Sequence, residues 1–258
     1  MMEGMKRATQ GMMAMQEQQS VIANNLANVG TTGFRRDVMD VQSFNQILDN
    51  QMKQVSMPGQ TGNGFLQVSG GMDTKGMLYT NTRTSYAQGA LKMTGNNFDV
   101  ALDDNGKGFF TVQGKDGIKF TRNGSFRLSN EGYLVTGDGS KVMGHNGAIK
   151  LNGTNFQVND AGVISVDGKE VDKFLVTEFT DKANMQKNGE DKFTANKGFK
   201  ISDNFAVKQG YLEMGNVNIV REMTEMMKVM KSYEANQKVL QAQDQAWKKS
   251  VNEVGKTG

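Results

Sequence analysis

Apolar residues recur at alternating steps of three and four near the start of the chain: Met5, Ala8, Met12, Met15, Ile22, Leu26 and Val29, with Gln19 as one polar interruption. This heptad stripe predicts a helix whose other face carries Glu3, Lys6, Arg7, Gln10, Glu17 and Gln18. Gly30-Thr31-Thr32-Gly33 reads as its stop. The same period returns near the end in Ile219, Met223, Met226, Met230, Tyr233, Leu240 and Trp247, broken by Gln237 and Asp244. Asn218 is the expected N-cap, and Glu222 lies in the first turn, where the helix dipole favours an acid. Glu234 with Lys238, and Asp244 with Lys248, are acid-before-base pairs at i,i+4 that support a long exposed helix. At 1.5 Å per residue the two helices extend roughly 40 and 45 Å.

Neither helix can bury its stripe alone. Core helices of a globular domain would show the same stripes, but both of these are terminal and long. A chain that leaves along one and returns along the other is served by an antiparallel pair. The expected fold class is therefore α+β: long N- and C-terminal helices pairing as an antiparallel coiled coil, with a central antiparallel all-β domain.

The middle has another rhythm. Short apolar runs at 98–102, 109–113, 118–122, 125–129, 133–136, 163–166 and 174–179 alternate with polar turns. Among the joints are Asp104-Asn105-Gly106, Asp116-Gly117, Asn123-Gly124 and Asp138-Gly139, and such dipeptides between short strands are strong hairpin signals. The expected division is terminal helical regions at 1–35 and 217–258, a β domain at 91–180, and connectors at 36–90 and 181–216. Residues 36–56 carry some helical character through Phe44, Ile47 and Leu48, and 57–76, around Pro58, read as an extended excursion.

Composition sharpens this picture. Thirty-one glycines against one proline, with 37% hydrophobic residues, suit a turn-rich β region. Eleven of the nineteen methionines fall within residues 1–30 and 214–230, and flexible Met side chains suit surfaces that pack in slightly different ways. The net charge is +3 with Lys and Arg scattered, which argues against nucleic-acid binding. No apolar run approaches the roughly 20 residues that span a bilayer, so no membrane insertion is expected. The first residues lack the apolar core and cleavage pattern of a signal peptide.

Candidate chemistry is thin. With no cysteine there is no thiol nucleophile or thiolate metal site, and His145 is the only histidine, set in the turn Gly144-His145-Asn146-Gly147. Asp103-Asp104-Asn105-Gly106 lacks the spacing and closing Glu of a calcium loop and reads as a hairpin turn. Gly137-Asp138-Gly139-Ser140-Lys141 is too short for a phosphate loop. No catalytic residue, metal site or cofactor is expected, and the chain reads as non-enzymatic. A β domain on a helical stalk, serving as a binding or scaffold module, is the alternative to an assembly subunit.

Three stretches resemble the bacterial flagellar rod and hook family. Ala23-Asn24-Asn25-Leu26-Ala27-Asn28-Val29-Gly30-Thr31-Thr32-Gly33-Phe34-Arg35-Arg36 is similar to its N-terminal signature. Gly210-Tyr211-Leu212-Glu213-Met214-Gly215-Asn216-Val217-Asn218 is similar to its strand-to-helix junction, where the family usually has Ser in place of Gly215. Tyr233-Glu234-Ala235-Asn236-Gln237-Lys238 resembles its C-terminal helix signature. Thr121-Arg122-Asn123-Gly124-Ser125-Phe126 and Gly132-Tyr133-Leu134-Val135-Thr136 resemble the β domain of rod and hook subunits.

The resemblance implies a structural axial subunit that polymerises into a helical tube, transmits torque and conducts exported subunits. Length and the long 36–90 stretch most resemble a distal rod subunit, with proximal rod and hook-type subunits as alternatives. The implied partners are copies of itself, other rod and hook proteins, the rings around the rod and the flagellar type III export apparatus. The implied location is the periplasm-spanning rod of the basal body, reached without a cleaved signal. The expected assembly interface comprises Met5, Met12, Met15, Ile22, Asn24, Asn25, Leu26, Asn28, Ile219, Met223, Met226, Met230, Tyr233 and Leu240.

Overall fold

A computed structural model describes residues 2–43, 78–151, 153, 156–182, 185–189, 191–195 and 197–254. The architecture is α+β. Helix α1 (Met2–Ala27) opens the chain and helix α2 (Ile219–Val254) closes it, with nineteen strands between them among the described residues. The chain forms two compact units. One is built from Met1–Asn24, Asp37–Arg83 and Val220–Gly258, the other from Asn25–Arg36 and Thr84–Ile219.

In the first unit the helices meet through small residues. A Cβ on Gly4 would lie 2.7 Å from Gln243 Nε2, and one on Gly11 would lie 3.1 Å from Asn236 Nδ2. Ala8, Ala14, Ile22 and Val229 are buried, while Met13, Met223, Met227 and Met230 are exposed. The face of α2 turned inward therefore runs through Met226, Val229, Tyr233, Asn236 and Leu240. It shares Met226, Tyr233 and Leu240 with the expected stripe, while Met223 and Met230 fall outside it. Gly4 and Gly11 on α1 allow the close approach of Gln243 and Asn236.

Strand β1 (Asp37–Ser43) pairs with β2 (Leu78–Thr84) in this unit, and Arg83 Nε lies 2.7 Å from Asp40 Oδ2. The helical character expected from residue 36 gives way to strand over 37–43, where Val38 and Val41 favour extended backbone. Phe44, Ile47, Leu48 and the excursion at 57–76 lie outside the described residues.

The second unit is antiparallel. Its main sheet is centred on β5 (Gly108–Gly114), which pairs with β6 (Gly117–Thr121), β9 (Lys141–Gly144) and β14 (Val176–Phe179). Outward from these lie β7 (Arg127–Leu128), β8 (Leu134–Val135), β10 (Gly147–Ala148), β15 (Met185–Lys187), β16 (Lys192–Ala195) and β17 (Phe199–Ile201). Strands β11 (Phe156–Val158), β12 (Val163–Val166) and β13 (Lys169–Lys173) form a second sheet. Two ribbons complete the unit: β3 (Leu91–Met93) with β19 (Tyr211–Glu213), and β4 (Val100–Leu102) with β18 (Val207–Gln209).

Strands β15 to β17 lie in a stretch read from the sequence as connector, yet they belong to the main sheet. Their apolar signal is sparse because Met185 and Phe193 alone carry most of the inward face. The larger core holds Phe110, Phe126, Phe156 and Phe174 among aliphatic neighbours, and a smaller one gathers Phe109, Phe120, Phe179 and Phe193. Edge-to-face ring pairs such as Phe120–Phe179, with centroids 4.9 Å apart, fix the smaller core.

Candidate assembly interface

The chain's two signature turns converge on one buried side chain. Glu213, at the end of β19, is 1% exposed. Its backbone oxygen accepts the Gly33 N–H at 2.7 Å, and its Oε1 accepts the Gly89 N–H at 2.8 Å. Arg35 Nη2 lies 2.6 Å from the same Oε1, and Arg122 Nη1 lies 3.6 Å from Oε2. Arg122 in turn donates through Nη2 to Asp104 Oδ1 at 2.5 Å. Burial pushes the Arg35 guanidinium below its ordinary value, opposed by the Glu213 charge.

Asp104 is occupied twice over. It accepts backbone N–H groups from Gly106, Lys107 and Gly108, closing the turn before β5, and it holds Arg122. Lys182 donates to Gly106 O at 3.3 Å and lies over the Tyr86 ring. Burial, and then the nearby Arg122 and Arg35 charges, push its ammonium below the ordinary lysine range.

A second clamp sits beside this cluster. Asn216 accepts the Arg36 N–H at 2.8 Å and donates to the carbonyls of Ser85 and Ala87 at 2.8 and 2.9 Å. Lys187 donates to Arg35 O at 2.7 Å and covers the Phe34 ring. The glycines of these motifs are required by close approach. A Cβ on Gly33, whose φ is +72°, would meet Asn123 N at 2.5 Å, and one on Gly89 would meet Met214 O at 1.9 Å. Gly215 is different: a Cβ there would sit 3.3 Å from Thr31 O and 3.4 Å from Asn28 O, so a small side chain needs only small adjustments.

The residues expected at the interface divide into two sets. Ile22, Asn25 and Asn28 are buried within the chain, and Met12, Met15, Leu26, Met226, Tyr233 and Leu240 are half-buried. Met5, Asn24, Ile219, Met223 and Met230 are exposed, joined by Val220 and Met227, which the spacing argument had passed over. Val220, Met223, Met227 and Met230 follow one another at steps of three and four, so they share a face of α2 distinct from the inward one. The buried charges Arg35, Asp104, Arg122 and Glu213 were also missed. Their signal in the sequence was their place inside glycine-bearing motifs, Gly33-Phe34-Arg35-Arg36 and Arg122-Asn123-Gly124.

Among the described residues no group of acidic or histidine side chains is placed to hold a metal ion, and no helix is long and apolar enough to cross a membrane. His145 is exposed in its turn.

Three family descriptions match this chain in order. Residues 5–35 match "Flagella basal body rod protein", 105–166 match "Flagellar hook protein FlgE/F/G D1 domain", and 208–253 match "Flagellar basal body rod FlgEFG protein C-terminal". The first and last of these segments meet at Gly33 and Glu213. The flagellar hook-basal body complex protein FlhO of Bacillus subtilis is 28% identical, over 99% of this chain and 100% of its own length. The basal-body rod protein FlgG of the same organism is 30% identical, over 98% and 99%. FlgG of Buchnera aphidicola subsp. Acyrthosiphon pisum is 33% identical, over 93% and 95%. With matches at both ends and the centre, and relatives aligned over nearly their whole length, the chain belongs to the flagellar basal-body rod and hook family of structural proteins, with FlgG, the distal rod protein, its favoured counterpart.

Proposed function

We propose that this chain is a structural, non-enzymatic subunit whose copies polymerise through α1 and α2 into the distal segment of the flagellar rod. The helices act as an antiparallel coiled coil. Gly4 faces Gln243, and one heptad later Gly11 faces Asn236, one heptad earlier, which is the step such a pair requires. The observation that carries the reading is the second apolar face of α2, Val220, Met223, Met227 and Met230, which the pair leaves exposed. A neighbouring copy covers that face, and head-to-tail contacts that do not close produce a helical tube.

Such a tube would transmit torque and conduct exported subunits. Its partners would be further copies, adjoining rod and hook proteins, the surrounding rings and the type III export apparatus that delivers it to the periplasm-spanning rod. Hydrogen exchange of the purified chain, dilute and then concentrated, tests the central claim. Protection of residues 219–230 that rises with concentration supports assembly through this face. Equal protection at both concentrations, with no polymer formed, returns the chain to the stalked-module alternative.

A further inference from the structure

The chain carries six Asn-Gly pairs, at 63, 105, 123, 146, 152 and 188. Asn63 and Asn152 lie outside the described residues. The other four sit in very different surroundings, and we propose that Asn188 is a site of spontaneous deamidation while the fold shields Asn105, Asn123 and Asn146. In this reaction the backbone nitrogen of the following glycine attacks the Asn side-chain carbonyl carbon. The new N–Cγ bond forms as Cγ–Nδ2 breaks, and the Nδ2 group leaves as ammonia with the proton from the glycine N–H. Water then opens the resulting cyclic imide to aspartate or isoaspartate, and no electrons are exchanged. Glycine favours the step because it has no side chain to block the approach and the widest backbone freedom.

Three of the pairs are held away from this geometry. The N–H of Gly106, the attacking group for Asn105, donates to Asp104 Oδ1 at 3.0 Å, and Gly106 is buried. Asn123 is engaged at both ends, donating through Nδ2 to Asp191 Oδ2 at 2.7 Å and accepting the Ser125 N–H at 3.1 Å. Its Gly124 packs so tightly that a Cβ would fall 1.6 Å from Val100 O. Asn146 donates through Nδ2 to Asp172 Oδ1 at 3.2 Å, and Gly147 is paired with Gly144 in the β9–β10 hairpin.

Asn188 differs on every count. It sits with Gly189 in the exposed turn between β15 and β16. Its backbone N–H donates to Lys192 O at 2.8 Å, which fixes the base of the turn, and the residue is exposed. Among the described residues neither its side chain nor the Gly189 N–H has a hydrogen-bond partner. Gly189 has φ +85°, a backbone form that glycine adopts without strain. The product places a new carboxylate three positions before Asp191, whose side chain accepts from Asn123. The turn next to the main sheet then carries an added like charge and, in the isoaspartate form, one extra backbone carbon.

Peptide mapping of the full chain after incubation in mildly alkaline buffer tests this, with isoaspartate detected by enzymatic methylation. The expected result is conversion of Asn188 about tenfold or more ahead of Asn105, Asn123 and Asn146, and loss of the Asn188 product alone in Asn188→Gln. In a chain unfolded by urea the four sites should react at similar rates, which shows that the fold sets the order. Equal rates in the folded chain overturn the proposal, as does any of the other three sites reacting first.

Discussion

Arg35 Nη2 and Glu213 Oε1 approach to 2.6 Å with both side chains wholly buried, although one belongs to the turn after α1 and the other to the strand before α2. Burying either charge alone is costly, so the pair is stable only as a pair. Glu213→Ala leaves Arg35 and Arg122 in the interior without their shared carboxylate and should destabilise the chain by about 3–5 kcal/mol. Replacing both, as Arg35→Met with Glu213→Leu, should recover much of the loss. Urea denaturation of the single and double variants measures the difference, and an equal loss in both contradicts the pairing argument.

Glycine variants separate tight sites from open ones. Gly124→Ala forces a Cβ onto Val100 O and should cost roughly 3 kcal/mol or more, whereas Gly30→Ala, with open space around it, should stay within about 0.5 kcal/mol. Thermal melts of the two variants provide the comparison.

Acid should reveal the Asp138–Lys192 pair. Burial pushes the Asp138 carboxyl up, but hydrogen bonds from Lys192, Thr136 and Ser140 outweigh it and hold the group well below the usual carboxylate range. A depressed folded value means that its stabilisation is complete above the unfolded value of about 4 and is lost progressively as pH falls from there through the lower folded value. Carbon NMR should show Asp138 titrating later than exposed carboxylates as acid is added. Asp138→Asn, which leaves the nearly buried Lys192 facing an amide, should lower the melting temperature at neutral pH and flatten its acid dependence.

The two faces of α2 should respond differently to substitution. Met223→Glu with Met230→Glu changes exposed positions, so the isolated chain should keep its stability within about 0.5 kcal/mol while losing polymerisation. Gly11→Leu instead wedges the helices apart at Asn236 and should lower helix content by circular dichroism. Light scattering against concentration reads out the first variant, and retained polymerisation would sink the assigned face.

The helices were legible because a period of three and four survives polar breaks at Gln19, Gln237 and Asp244. The hairpins were legible because Asn105-Gly106 and Asp138-Gly139 supply the backbone forms that their turns need, with Asn105 at φ +59° and Gly139 at +86°. The inward seam was not, since Gly4 and Gly11 make contact by being small and scarcely register in an apolar pattern. Met223 and Met230, expected at an assembly interface, lie exposed on α2. The buried cluster was hidden for another reason. Arg35, Arg122 and Glu213 are residues that pattern reading assigns to solvent, and only the three-dimensional meeting of distant turns gives them partners.

The clamp at Asn216 has a mechanical consequence. Arg36 and Asn216 are 180 positions apart in sequence, yet one hydrogen bond joins them directly, beside the Gly33–Glu213 bond. A pull on the chain at Arg36 is therefore taken up at once by the segment leading into α2. The load crosses a short splice of bonds and bypasses the Phe-rich core. The two ends share strain like spliced strands of one rope.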